Sequence, residues 1–181
     1  RDVRFVTKQP KNLQSILCSS KVRSAPGQGV EVVENPGTFK CGKKCHVFHR
    51  NKEGARFEST NTGRSYKSRV KCDCKSKYVV YLTTCRKCAG QYVGKTTNGL
   101  AIRHSTHKQR IKQGQEGIGE HYHVCGLDNF SVQVIDQVKD WESLDKEVAG
   151  RRLDKLEEKW QHQLKVFEEN VGNAHCRKRE K

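Results

Sequence analysis

The feature that most constrains this chain is a pair of cysteines between two short β-rich runs. The stretch VVYLTTCRKCAGQYVGKT, residues 79–96, places Cys85 and Cys88 as C-x-x-C and puts Tyr81 and Tyr92 in the flanking runs. Two thiolates at this spacing can hold one tetrahedral zinc ion. The pattern therefore predicts a hairpin whose turn is fixed by zinc, and the alternative is a pair of free thiols in an exposed turn.

The other cysteines also favour metal over disulfides. The chain has nine cysteines, an odd number, and eight histidines. Disulfide frameworks usually spread their cysteines, whereas short pairs near histidines favour thiolate ligands in a reducing compartment. A second zinc site around a hairpin is predicted, against the alternative of unligated thiols in a basic linker. Its candidate ligands are Cys41, Cys45, Cys72 and Cys74, with His46 and His49 nearby, while Cys18 and Cys176 are expected to be free.

The charge of the chain is large and segregated. The net charge is +16, and residues 1–80 hold 18 Lys or Arg against 6 Asp or Glu. Residues 74–115 hold nine bases and no acid, and 14 of the 20 acids lie from Glu116 onward. A one-sided basic field attracts polyanions, which favours nucleic acid as partner over a merely solubilising surface or a basic tail. No apolar run approaches 18 residues, so no membrane span is expected.

Composition also bears on the core and on the ends of the chain. Apolar residues make up 33 % of the 181 residues and aromatic residues 7 %. These fractions of apolar and aromatic residues are low for one well-filled core, so metal is expected to contribute to stability.

The sequence starts at Arg1 and contains no Met, which suggests a fragment of something longer.

Hydrophobic periodicity and turn residues predict the order of elements. The predicted elements are a short helix within 10–23, a Gly/Pro linker at 24–38, a hairpin turning at Asn61-Thr62-Gly63, strands at 78–83 and 91–94, a helix from Leu100 to about Gln113 capped by Asn98, a loop at 115–127, a strand at 130–138, and a helix from Ser143 to Phe167 that Gly150 could break.

Five side chains form a plausible set for phosphodiester hydrolysis. Arg103 and His107 lie four apart, on one helix face. Glu157 lies beside the apolar stripe of the last helix, where a lone carboxylate is unusual. With the two tyrosines, this set could bind a divalent metal, stabilise charge on phosphorus and orient water. Each residue alone has a plainer interpretation as a strand residue, a solvated helix position or a salt-bridge partner.

As an ordered set, these residues resemble a known nuclease family. VVY at 79–81 and YVG at 92–94 are similar to the two motif strands of GIY-YIG nucleases, with Val79 in place of Gly. Arg103, His107, Glu157 and Asn173 match the family's later positions, and the resemblance covers about residues 78–175. It implies an α/β (α+β) fold in which a small antiparallel sheet of about three strands is flanked by helices.

The cysteine insertion resembles the endonuclease of Penelope-like retroelements. CKSKYVVYL (74–82) and YVGKTTNGLAIRHSTH (92–107) are similar to that family, and KNLQSILCSS (11–20) resembles the segment that joins its reverse transcriptase to the nuclease. Arg1 would then start just after a polymerase. The resemblance also implies a zinc site completed by His121 and by either Cys125 or His123.

The resemblance implies Mg²⁺- or Mn²⁺-dependent nicking of DNA, with Glu157 binding the ion, to leave a 3′-hydroxyl that primes reverse transcription. DNA and element RNA are the expected partners, and the nucleus is the expected location. The runner-up is a catalytically inactive, zinc-stabilised module that binds DNA or RNA; a protein-interaction scaffold is disfavoured by the charge. Predicted DNA contacts are Lys95, His104, Lys108 and Arg110. The predicted organisation is a linker with a short helix (1–38), a basic zinc-finger-like extension (39–77), the nuclease domain (78–176) and a basic tail (177–181).

Overall fold

The computed structural model describes residues 35–39, 41, 53–115 and 117–166. The chain divides into two compact units, Arg1–Val32 and Val33–Lys181, and every described residue belongs to the second unit. The predicted helix within 10–23 and the tail at 177–181 lie outside the described residues. So do Cys18, Cys45, His46, His49, Asn173 and Cys176.

The described residues form a mixed α+β structure with small sheets and three helices. This confirms the predicted class. In chain order, the elements are β1 (Gly37–Thr38), β2 (Arg56–Glu58), β3 (Ser65–Lys67), β4 (Lys71–Cys72), β5 (Val79–Cys85), β6 (Gln91–Thr96), α1 (Leu100–Lys112), α2 (Ile118–Cys125), a 3₁₀ turn (Leu127–Asn129), β7 (Phe130–Gln137) and α3 (Lys146–Leu164).

The central sheet is antiparallel and three-stranded, in the order β6-β5-β7. Strand β5 is the middle strand and its side chains enter two different cores, because neighbouring strand residues point to opposite faces. Val79 and Tyr81 belong to one buried cluster, while Val80 and Leu82 belong to the other. The first cluster packs against α1 and α2, and the second packs against α3 and the β2–β3 hairpin.

Helix α1 starts at Leu100 as predicted, but the predicted cap at Asn98 is wrong. The N-cap is Gly99, and no side chain caps the helix. The Ala101 amide instead donates to the carbonyl of Cys74 at 2.9 Å, so the preceding extension satisfies the first turn. A Cβ at Gly99 would lie 3.3 Å from the carbonyl oxygen of Lys75, which shows how closely the extension approaches.

Helix α2 occupies a segment that was predicted to be a loop, and that prediction is wrong. The helix has only eight residues, and glycines at 117 and 119 hide its period. Its conformation is set by packing on α1: His123 Nδ1 lies 3.0 Å from the Ile111 carbonyl oxygen. A Cβ at Gly119 would lie 2.9 Å from the Arg110 carbonyl oxygen, so glycine allows the two helices to come close.

Helix α3 is shorter than predicted and has no break. The Asp145 side chain accepts a hydrogen bond from the Glu147 amide at 2.8 Å and caps its start, as short acidic residues commonly do. The helix continues through Gly150, where an added Cβ would meet nothing within 4 Å. The glycine therefore neither bends the helix nor admits a close neighbour.

The predicted hairpin in the extension is confirmed. Strands β2 and β3 pair antiparallel around the predicted turn, where Gly63 has φ of 66°. The hairpin packs on α3, with the Phe57 ring 5.2 Å from the Trp160 ring and the Ser59 hydroxyl donating to the Leu164 carbonyl at 2.7 Å. This part of the extension thus completes the second core.

The predicted second zinc site stays a prediction, because Cys45, one of its four candidate ligands, lies outside the described residues. Two of the other candidates, Cys41 and Cys74, are joined to each other by a disulfide. Cys72 is a buried free thiol that hydrogen-bonds Gln137, and burial raises its pKa to about 12. Among the described residues, the only metal-competent cysteine and histidine group lies elsewhere.

We expect Ser59→Ala to lower the free energy of unfolding by about 1–3 kcal/mol, because a buried carbonyl would lose its donor. Urea denaturation at neutral pH measures this change. Ser105→Ala is the matched control, because its hydroxyl is exposed and bonds only within its own helix turn, and its effect should stay within about 0.5 kcal/mol. Equal losses in the two variants would contradict the assigned role of Ser59.

Candidate metal centre and active site

A buried cluster of three cysteines and one histidine lies at the end of the sheet. Cys85 ends β5, Cys88 lies in the turn before β6, and His121 and Cys125 come from α2. All four ligand atoms lie within 4.8 Å of one another, and Cys88 Sγ is 3.4 Å from His121 Nε2. Such a donor set can bind a metal such as zinc with four protein ligands and no position left for water.

The turn between β5 and β6 presents its sulfurs in a defined way. The Cys85 amide donates to the Gly90 carbonyl at 2.8 Å, and the Ala89 amide donates to the Cys85 carbonyl at 2.8 Å. Ala89 has φ of 59°, a strained backbone for a non-glycine residue. A Cβ at Gly90 would lie 3.0 Å from His121 Cε1, so the small residue lets the imidazole reach the cysteines.

The fourth member of the cluster is Cys125 rather than His123. His121 and Cys125 lie four residues apart on α2 and therefore share a helix face, while His123 points to the Ile111 carbonyl. The sequence left this choice open because the helix itself was not predicted. Burial raises the pKa of Cys85, and a bound cation would favour its thiolate.

A second cluster joins four of the predicted site residues. The Tyr81 hydroxyl lies 2.7 Å from His107 Nε2 and accepts a hydrogen bond from Arg103 Nε at 2.9 Å. The Tyr92 ring completes the cluster edge-on to the His107 ring, with 6.4 Å between the ring centroids. Strands β5 and β6 supply the tyrosines and α1 supplies the other two side chains, because positions 103 and 107 share one helix face.

Gly94 is required for this arrangement. It lies opposite Tyr81 in the sheet. A Cβ at this position would come within 2.6 Å of both the Tyr81 hydroxyl and Tyr92 Cε1. Both tyrosines therefore pack over a strand position that has room only for glycine.

Burial sets the protonation states of the cluster. Tyr81 is fully buried and His107 is 2 % exposed. Burial raises the pKa of Tyr81, with a further rise from Tyr92, so the phenol keeps its proton at neutral pH. Burial lowers the pKa of His107 to about 3, and the nearby Arg103 charge adds to this shift. Because Arg103 can only donate, the Tyr81 proton is available to the neutral imidazole.

Glu157 lies on α3 in an ion-pair network. Its carboxylate accepts a hydrogen bond from Lys95 Nζ at 2.6 Å, and the same ammonium lies 2.9 Å from Asp154. Partial burial alone would lower the pKa of Lys95, but the two carboxylates outweigh it and raise that pKa. Asp154 was missed by the sequence analysis, although its position three residues before Glu157 could have indicated it.

The predicted DNA contacts divide into three groups. Arg110 is exposed and Lys108 is partly exposed, so both can reach a ligand. Lys95 is engaged by the two carboxylates. The prediction for His104 is wrong: the side chain is 3 % exposed and packs its ring on Phe130 at 5.5 Å, because its position in α1 faces the sheet.

No protein-family model, curated protein or solved structure matches this chain.

Within the part of the chain that the structure describes, no helix combines the length and apolar character needed to cross a membrane.

We expect Cys88→Ser to lose bound zinc and to lower the melting temperature sharply, since structural zinc can supply about 10 kcal/mol of folding free energy. Elemental analysis and thermal unfolding measure the two effects. Cys72→Ser, which changes a buried thiol outside the cluster, should keep its zinc. Less than one zinc per chain in folded wild-type protein would contradict the metal centre.

The buried neutral His107 predicts acid sensitivity. Its folded pKa of about 3 lies below the unfolded value near 6.5, so the unfolded chain binds more protons and stability falls as pH drops below about 6.5. Between pH 7.5 and 5.0 the protonation of this residue in the unfolded chain should lower the free energy of unfolding by about 2 kcal/mol. Urea denaturation of the zinc-saturated proteins at the two pH values measures this effect. The His107→Gln variant should lose about 2 kcal/mol less free energy of unfolding over this interval than the wild type, and identical losses would contradict the assignment.

Proposed function

We propose that this chain is a divalent-metal-dependent DNA endonuclease of the GIY-YIG type. The observation that carries the proposal is the cluster in which the Tyr81 hydroxyl contacts Arg103 and His107 and the Tyr92 ring packs against His107. The family resemblance names these four residues, and they lie together where β5, β6 and α1 meet. Unrelated strand and helix residues would have no reason to do so.

In the proposed reaction, water adds to phosphorus, the P–O3′ bond breaks, and the 3′-oxygen takes up a proton. Arg103 and Tyr92 are only partly buried, so they are the members that can touch the substrate. Arg103 would donate to a phosphate oxygen as negative charge develops there, and Tyr92 would orient the water. Tyr81 is fully buried and therefore positions Arg103 rather than meeting the phosphate.

Glu157 is the proposed ligand of the catalytic cation. Its side chain is 16 % exposed, and Mg²⁺ is commonly held by one or two carboxylates together with water and substrate phosphate. We therefore propose that the Glu157 carboxylate would supply the protein ligand for Mg²⁺ or Mn²⁺. When bound, such an ion supplies polarisation of a phosphate oxygen. The same carboxylate is paired with Lys95, whose ammonium would shift toward the DNA backbone or Asp154.

Zinc is proposed to act structurally in this nuclease. The Cys85 and Cys88 ligands lie on the hairpin that carries both tyrosines, and the other two ligands lie on α2, which follows directly after α1. One ion would thus hold the chain after α1 against the hairpin. Arg103 and His107 would be kept opposite the tyrosines without zinc entering the reaction.

The basic charge supports DNA as substrate, with element RNA as a further partner. Residues 74–115 contain nine bases and no acid, and this segment carries the β5–β6 hairpin and α1. Together with the resemblance to Penelope-like endonucleases, this favours a nuclear module that follows a reverse transcriptase and nicks the target to provide its primer.

One observation favours the alternative of an inactive, zinc-stabilised module that binds DNA or RNA. The Glu157 carboxylate is already neutralised by Lys95 at 2.6 Å, as it would be in a protein that no longer binds a catalytic cation. Such a module would keep the zinc centre and the basic surface, and it would bind DNA without cutting it.

We expect Glu157→Gln to reduce nicking of supercoiled plasmid in Mg²⁺ by about a hundredfold or more, the scale of a few kcal/mol in the barrier. DNA affinity and melting temperature should change little. Glu158→Gln is the matched control, because it removes the same charge at the next position, where the side chain is exposed. Zinc-loaded wild-type protein that binds plasmid without nicking it in Mg²⁺ or Mn²⁺ would instead support the inactive module.

A further inference from the structure

A polar groove lies between the β2–β3 hairpin and the end of α3. Its lining includes no member of the tyrosine cluster, by which we mean Tyr81, Tyr92, Arg103 and His107. Its volume is about 470 Å³, and none of the seven residues that line it is acidic. Arg64 enters from the hairpin, while His162 and Lys165 enter from the helix end. All three are exposed, so a ligand in solution can reach them.

The groove is held open by hydrogen bonds between its walls. The Asn61 side-chain amide donates to the Lys165 carbonyl at 2.8 Å, and the Tyr66 hydroxyl donates to the Gln163 carbonyl at 3.0 Å. The Tyr66 ring also stacks on Phe57 at 5.7 Å. A ligand would therefore meet a preformed site and would need to order few groups on binding.

These same bonds make the helix end compatible with an anion. The last carbonyls of a helix carry partial negative charge and would normally repel one. Here the carbonyls of Gln163, Leu164 and Lys165 each accept a hydrogen bond from the hairpin. The acidic side chain of Glu158, one turn before His162, is not among the lining residues. Arg64 and Lys165, the two charged side chains of the lining, thus set the charge of the groove.

We propose that this groove binds the phosphate backbone of a nucleic acid, as a contact separate from the site of cleavage. Lys165 lies eight residues beyond Glu157, about 12 Å along the helix direction at 1.5 Å per residue. A duplex carries one phosphate charge for every 1.7 Å or so of its axis, so DNA held at Glu157 has phosphates within this reach. The inference rests on the proposed nucleic-acid partner, but it does not require that the DNA be cut.

The test is the salt dependence of binding to a fluorescent duplex, measured with the full chain and saturating zinc. Arg64→Gln with Lys165→Gln removes one charge from each wall of the groove. Lys67→Gln with Lys155→Gln is the matched control, since it removes one exposed charge from the β2–β3 hairpin and one from α3 without touching the lining. Unchanged melting temperatures exclude misfolding in either pair.

We expect the groove pair, Arg64→Gln with Lys165→Gln, to weaken duplex binding roughly 10- to 100-fold at 0.1 M salt and to reduce the slope of log K against log salt by about 2. The control pair, Lys67→Gln with Lys155→Gln, should change both quantities much less. Nicking at saturating DNA should persist in the groove pair if the chain is a nuclease. This outcome is independent of the Glu157→Gln result, which tests cleavage.

Two results would overturn the proposal. Equal weakening by the two pairs would show that only the overall basic field matters. The second result is that the wild type binds inorganic phosphate or a mononucleotide, that the groove pair loses this binding, and that the groove pair keeps its duplex affinity. The groove would then be a site for a small phosphorylated molecule.

Discussion

Strand β5 is the constraint on which both candidate sites depend. It is the middle strand of the sheet and is buried on both faces, so its register is fixed by two cores at once. Tyr81 and Cys85 lie four residues apart on it, about 13 Å at strand spacing, and both belong to the same buried cluster. A disturbance of the candidate metal ligand Cys85 would therefore reach Tyr81 along a short, buried segment of β5.

Sequence alone predicted the features that depend on the spacing of residues close together in the chain. Arg103 and His107 could be placed on one face because helix spacing fixes their relation, and the hairpin turn at Gly63 followed from turn chemistry. The C-x-x-C pair indicated a metal turn for the same reason. The α+β class was implied by the family resemblance, and the order of the predicted strands and helices agreed with it.

The parts that sequence missed depend on contacts between distant segments. Helix α2 is short, has Gly117 at its N-cap and Gly119 in its first turn, and packs closely on α1. The Asn98 cap was displaced by a carbonyl from Cys74, and His104 was drawn inward by Phe130. The Cys41–Cys74 bond joins residues 33 apart. None of these partners can be identified from the spacing of nearby residues.

The depth of Tyr81 decides how the cluster can be used. A phenol with no exposed surface cannot meet a phosphate unless the sheet opens, and Gly94 leaves no space for the ring to move toward the strand. Its hydroxyl links the neutral His107 to the guanidinium of Arg103, so its main effect is to fix the direction of that charge. The guanidinium is more exposed than the phenol and can face a ligand. In the proposed nuclease, reactivity would therefore depend on a buried hydrogen bond that the substrate does not touch, and a metal bound at the other end of β5 would help to keep that bond in place.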